Sequence, residues 1–547
     1  AAAVMEEAGG AAAHENDIPG FAPGSGENVG DTPMVAGTSK MLAKLGLTHN
    51  PYVDRTAEKS LLKTGAFYLH SDLQGFRPSE TTYIFFGKRG SGKTTIRLMM
   101  MQKYREYNEN QVAQGKGPVF VVDLCRPGHM DECLKEFMRT IGADRDNWDA
   151  NFAESWTSND LADCILSFAI NDMMRRVVVA TREGKMIVES LSRNPRAATQ
   201  FLLLAHLYTR EDTATLNALR AKLLPIAFSS WKVAKMVVGV GAFVGALGAA
   251  GMAVSSLAKS SSSSSSSSDH GAGRSHGGVR SLASQLPSVS PKQMGYAAGA
   301  ACTLLGGALL QRRTRSLEQA RAKQLCAPLR VANARPDLIQ GLLHSLFSSD
   351  DTADRIRGLH IGHSAQQKLE LIESLARACG YQGLAVFGDC FDEVGLLDPL
   401  MYPAALKVFA REVCKNEVLN QGRLHFFFPD ARASLDLSTD RIVREARFDR
   451  HFVRDLSWSR FQLEDLAERR FLAAQREAGN NSPNARFQDL FKHVSKEDFS
   501  GAISKLATPR ELMVFMTELL ARVEAHSEDG KMVAAQDMEI AVNKALE

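Results

Sequence analysis

Residues 81–94 read TTYIFFGKRGSGKT. Thr81 to Phe86 is a β-branched and aromatic run that stops at a glycine, as a buried strand feeding a loop does. Gly87 to Thr94 then fits G-x-x-x-x-G-K-[ST] at each fixed position, and a helical run follows from Thr95 to Tyr107. Glycines at 87, 90 and 92 let the main chain approach an anion without Cβ interference. The amides at the start of the following helix face that anion with the helix dipole behind them.

The loop is therefore expected to hold the polyphosphate of a nucleotide through Gly87, Lys88, Arg89, Gly90, Ser91, Gly92, Lys93, Thr94 and Thr95. Lys93 is expected to reach the β- and γ-phosphates and Thr94 to offer its hydroxyl to Mg²⁺. Hydrolysis needs a carboxylate on the metal as well. The segment LAVFGDCFDEV, Leu384 to Val394, supplies a candidate in Asp389, at the end of an apolar strand taken to neighbour that of the loop. Asp392 and Glu393 are the candidates for orienting water, although acids in this pattern also cap helices.

Pro118 to Leu124 (PVFVVDL), Gly383 to Asp389 (GLAVFGD) and Arg423 to Phe428 (RLHFFF) are three further apolar runs. Helical stretches such as Ser364 to Cys379 and Pro399 to Cys414 separate them. Continuous apolar strands between helices predict an α/β fold, a parallel sheet covered by helices on both faces. Extra helices between about residues 130 and 225 are expected as an inserted subdomain, and everything after about Thr439 reads as helical. The resulting organisation is a disordered tail over 1–50, a first core part over 51–227, an insertion over 228–316, a second core part over 317–438 and a helical lid over 439–547.

Weaker signals lie in the second half. Asp430 ends the fourth apolar run, where a γ-phosphate contact and turn chemistry place an acid equally well. Arg444, Arg447 and Arg450 recur every three residues, and Arg447 is the candidate arginine reaching a nucleotide in cis or from another subunit of a homo-oligomer. Solvated charges on a helix face explain the same spacing. Thr508 and Pro509 read as a cap and first helical position, which puts Arg510 in a first turn where the dipole disfavours it and an anionic partner is called for.

The insertion is the least ordinary part of the chain. Residues 236–258 carry no charge and as a helix would span about 34 Å, enough for a hydrocarbon core of about 30 Å. Residues 293–311 are also uncharged and would span about 28 Å. Small-residue pairs, Gly241 with Gly245 and Gly295 with Gly299, suit a tight helical hairpin, and the serine run Ser260 to Ser268 suits a flexible connector. Lys232, Lys235, Arg312, Arg313 and Arg315 flank the outer ends, so a membrane partner is expected with the nucleotide domain facing the cytoplasm. Gly/Ala-rich helices buried in protein are the competing reading.

Composition narrows the classes. The 547 residues are 44% hydrophobic and 23% charged, which excludes wholly disordered and collagenous chains. The net charge of +3 argues against nucleic acid as the main partner. Eight scattered cysteines without a C-x-x-C pair point to a reducing compartment and no structural metal, and without a charged stretch followed by an apolar one near residue 1 secretion is not expected.

With these motifs in place, the chain resembles P-loop NTPases of the additional-strand group that includes the AAA+, STAND and KAP ATPases. It is most similar to the KAP family, whose members insert transmembrane helices between the phosphate loop and the metal-binding aspartate. The resemblance covers roughly residues 55 to 545 and implies ATP and Mg²⁺ as ligands, a membrane-associated ATPase activity, and an arginine-bearing lid helix matched here by Thr508 to Glu511. KAP proteins show two adjacent aspartates at the strand end and a third two positions on. Asp389 and Asp392 match this pattern, whereas Cys390 takes the second place. A thiol there cannot serve as a carboxylate base, so a nucleotide-binding scaffold with little hydrolysis stands as the alternative function.

Overall fold

The computed structural model describes residues 42, 46–53, 73, 76–78, 81–126, 128–227, 315–345, 362–429, 452–479, 494–528 and 534–547. Five strands, β1 (Tyr83–Phe86), β2 (Val119–Asp123), β3 (Gly383–Gly388), β4 (Leu424–Phe428) and β5 (Phe452–Asp455), form one sheet in the order β2-β3-β4-β1-β5. Every pairing is parallel. The small parallel sheet within a mostly helical chain is the expected α/β architecture in its coarse form.

Alternate residues of the strands go to opposite faces. Phe85, Ala385, Phe387 and Phe427 pack on one face with Ile96, Met100 and Tyr104 of helix α1 (Lys93–Ala113). Ile84, Phe86, Val122, Val386, Phe426 and Phe428 pack on the other. That second face is covered by helices of the insertion after β2: α2 (His129–Ile141), α3 (Trp148–Ser155), α4 (Ser158–Val179), α5 (Arg182–Ser192), α6 (Pro195–Tyr208) and α7 (Thr213–Ala227). Helix α4 runs through the middle of this subdomain, and at its start the Asp160 carboxylate accepts from the Thr157 N–H at 2.9 Å and from the Thr157 hydroxyl at 2.7 Å. Two more helices, α8 (Pro336–Ser345) and α9 (Ala365–Ala378), lead back to β3, and α10 (Pro403–Val413) and α11 (Asn416–Leu419) lie between β3 and β4.

A second core joins the last four helices, α12 (Arg460–Glu477), α13 (Lys496–Ser504), α14 (Pro509–Glu528) and α15 (Ala535–Leu546). Thr508 does cap α14, accepting the Glu511 N–H at 3.2 Å. Leu47 and Tyr52 are buried in this unit, and the Tyr52 hydroxyl donates to the Ala467 carbonyl at 2.9 Å. The N-terminal segment 46–53 therefore belongs to the C-terminal helices rather than to the sheet.

Two expectations need correction. The chain beyond Thr439 is not wholly helical, because FVRD at 452–455 pairs with β1 as an edge strand. Its Arg454 and Asp455 are exposed, as suits a strand with one free edge. The strand that ends at Asp389 is also not the neighbour of β1, since β4 stands between them. Asp430, Arg444, Arg447, Arg450 and both uncharged segments, 236–258 and 293–311, lie outside the described residues. No described helix is long and apolar enough to cross a membrane.

Candidate functional site

The loop after β1 closes on itself through the Ser91 N–H, which donates to the Lys88 carbonyl at 3.1 Å, and the Gly87 N–H is held by the Phe428 carbonyl at 3.2 Å. Gly90 and Gly92 adopt left-handed φ of 88° and 91°. A Cβ on Gly90 would stand 2.5 Å from the Cβ of Arg510, and one on Gly87 2.6 Å from the Ser91 hydroxyl. Glycine is thus required by backbone shape and by space. The buried Ser91 Oγ has no hydrogen-bond partner among the described residues. Lys88 and Arg89 are exposed at the loop's tip, and Thr95 lies half-buried in the first turn of α1.

The loop feeds α1, whose first backbone bond runs from the Ile96 N–H to the Gly92 carbonyl, so the preceding amides point out of the helix end. The Lys93 ammonium folds over the loop and donates to the Gly87 and Lys88 carbonyls at 2.6 and 3.2 Å. The Thr94 hydroxyl donates to Asp389 Oδ2 at 2.9 Å, across 295 positions of sequence and past the one intervening strand, β4.

Asp389 is 4% exposed. Burial pushes its carboxyl upward, and the Arg97 guanidinium, the Cys390 N–H, the Thr94 hydroxyl and Lys93 pull it back. Arg97, one turn after Thr94, also reaches Asp123 at the end of β2, with Nη1 3.2 Å from Oδ1. Its Nε lies 3.4 Å from Asp389 Oδ2, an ion contact without hydrogen-bond alignment. One buried cation therefore serves the acids at the ends of two adjacent strands.

Beyond Asp389 the chain turns through Cys390, a non-glycine residue at φ 58°, into a short 3₁₀ turn, Phe391–Glu393. Burial, followed by the Asp389 and Glu393 charges, pushes the Cys390 thiol up to about 12, so it is neutral at physiological pH. Asp392 is half-buried and Glu393 exposed. Asp392 makes no hydrogen bond among the described residues.

The C-terminal unit meets the loop from outside. The Trp458 indole N–H donates to the Ser91 carbonyl at 2.8 Å, and the Arg510 backbone N–H donates to the Gly90 carbonyl at 3.2 Å. The Arg510 side chain is exposed. Gly87, Lys93, Thr94, Asp389 and Arg510 are thus brought together, whereas Arg447 lies outside the description.

Three site residues carried no recognised signal in the sequence: Arg97, Asp123 and Trp458. Arg97 was detectable in principle as a cation among the buried positions Ile96, Met100 and Tyr104 of α1, where it demands an acidic partner. Trp458 had no such signal, because its partner is a main-chain carbonyl.

Among the described residues no group of three or more His, Cys, Asp or Glu side chains gathers as a metal site. One carboxylate and one hydroxyl do suit Mg²⁺, which keeps several waters and takes the rest of its shell from phosphate oxygens. A cleft of about 620 Å³ lined by Glu132, Arg210 and Arg335 lies elsewhere, on the helical insertion. No protein-family model, curated protein or solved structure matches the chain.

Proposed function

We propose that this chain is a Mg²⁺-dependent, ATP-binding P-loop NTPase of the KAP type, associated with a membrane, in which hydrolysis moves the C-terminal helices against the sheet. The observation that carries the reading is the 2.9 Å bond from the Thr94 hydroxyl to Asp389. Two groups far apart in sequence meet at the end of a glycine loop, where the chemistry asks for both. β4, inserted between the loop strand and the acid strand, supports the likeness to the additional-strand group.

Loop amides and Lys93 would hold the β- and γ-phosphates, and Thr94 with Asp389 would hold the metal. When bound, Mg²⁺ supplies charge neutralisation to the phosphate oxygens. The Asp389 carboxylate, which accepts from the Thr94 hydroxyl, would be available to hold the metal, and Lys93, which donates to the Gly87 and Lys88 carbonyls, would be available to phosphate. Asp392 or Glu393 orients the attacking water, and Arg510 approaches the γ-phosphate from the lid.

Binding of fluorescent ATP to the full chain tests this. It is expected to be saturable, Mg²⁺-dependent and lost with Lys93→Ala, and binding that survives this substitution overturns the reading. Steady phosphate release that Asp389→Asn abolishes supports the enzyme. Saturable binding without release supports the scaffold, which the neutral thiol at Cys390 favours.

A further inference from the structure

Two consecutive carbonyls of the glycine loop are held by groups of the C-terminal helical unit, Gly90 by the Arg510 N–H and Ser91 by the Trp458 indole. The second contact has a geometric consequence. In a trans peptide the carbonyl of one residue and the N–H of the next point in opposite directions. Anchoring the Ser91 carbonyl outward on Trp458 therefore turns the Gly92 N–H inward, toward the concave side of the loop. Gly92 sits at φ 91°, in a region that glycine leaves readily, so its peptide plane needs an outside restraint. The indole supplies it: Cζ2 lies 3.8 Å from where a Cβ on Gly92 would stand, which is ordinary contact.

We infer that Trp458 is a positioning residue for the phosphate loop, fixing the Gly92 amide as an anion donor from the lid side. This rests on reading the loop as a polyphosphate cradle and adds a determinant of its affinity. The C-terminal helices then set how tightly phosphate is held, before any side chain of theirs touches nucleotide.

The test is a titration of the full chain and its Trp458→Phe variant with fluorescent ATP, and with inorganic tripolyphosphate as competitor. Phenylalanine keeps an aromatic ring at this position while removing the N–H donor together with part of the indole. One neutral hydrogen bond predicts that ATP and tripolyphosphate both bind about five- to tenfold more weakly. Equal affinities in variant and wild type overturn the inference, as does weakening confined to ATP, which would put Trp458 on the base. A wild-type chain that binds neither probe overturns the cradle reading instead.

A second measurement uses the wild type alone. Tripolyphosphate is expected to slow backbone hydrogen exchange in residues 454–462 together with 87–95. Slowing confined to 87–95 would show that the lid does not respond to phosphate and would also overturn the inference.

Discussion

Arg97 carries an electrostatic load that few residues of this chain share. Its side chain is 10% exposed, and the side chains of the acids it joins, Asp389 and Asp123, are 1% and 25% exposed. Removing one member of such a group leaves buried charge without compensation, which costs more than the intact contact contributes. Arg97→Met, similar in length and uncharged, is expected to lower the unfolding free energy of the sheet unit by about 3 kcal/mol. Urea denaturation followed by far-UV circular dichroism checks it, and a change below about 1 kcal/mol would class the contact with solvent-screened surface pairs. The glycines of the loop were legible residue by residue, since Gly87, Gly90 and Gly92 answer to backbone shape and space. Arg97 was not, because its acids lie 26 and 292 positions away and only the strand order brings them together.

At the scale of elements, β4 combines an apolar run with one polar residue, His425, which is fully buried. Its Nε2 lies 3.0 Å from the Tyr104 hydroxyl, and Phe387 packs with a ring-centroid distance of 4.6 Å. Burial, with the Arg423 charge added, pushes the imidazole down to about 3. An unfolded chain protonates the same group near 6.5. The stability His425 contributes is thus complete above that value and is lost as pH falls toward 3. Between pH 6.5 and 5.0 this amounts to about 1.5 kcal/mol. His425→Gln, which can still partner Tyr104, should show a shallower fall in melting temperature over that interval, and parallel curves would refute the assignment. His129 and His206, pushed down to about 3 and about 4, act in the same direction and remain in both proteins. The legible elements were those with a strong pattern: β1 to β4 as apolar runs, and α14 from Thr508 and Pro509. β5 was hidden because an edge strand can be half polar, and the order of strands was hidden because β4 enters the sheet between two strands that precede it in sequence.

On the scale of the whole molecule, the described residues on either side of the 228–314 segment converge. Arg220 of α7 lies 3.6 Å from where a Cβ on Gly341 of α8 would stand, and the neighbouring Gln340 donates to the Arg315 carbonyl at 3.1 Å. From Arg220 to Ala227 α7 rises about 10 Å, so the chain leaves and returns on one side of the helical subdomain. A flexible Gly/Ser linker of about twenty residues has a typical span of about 25 Å and is the length chosen to join the two ends. Ala322, Leu325, Leu329 and Val331, which follow the segment, are buried in the main core and keep their partners in such a variant. Replacing 228–314 with this linker is therefore expected to leave ATP affinity within about twofold and the melting temperature within a few degrees, since none of the groups around Thr94 and Asp389 is removed. The two proteins should part in their response to lipid. The full chain is expected to stay in the membrane pellet after alkaline carbonate extraction, while the shortened chain moves to the supernatant. Release of the full chain by carbonate would end the proposal that 236–258 and 293–311 enter a bilayer, and it would leave the nucleotide reading untouched because the site and the insertion share no residue.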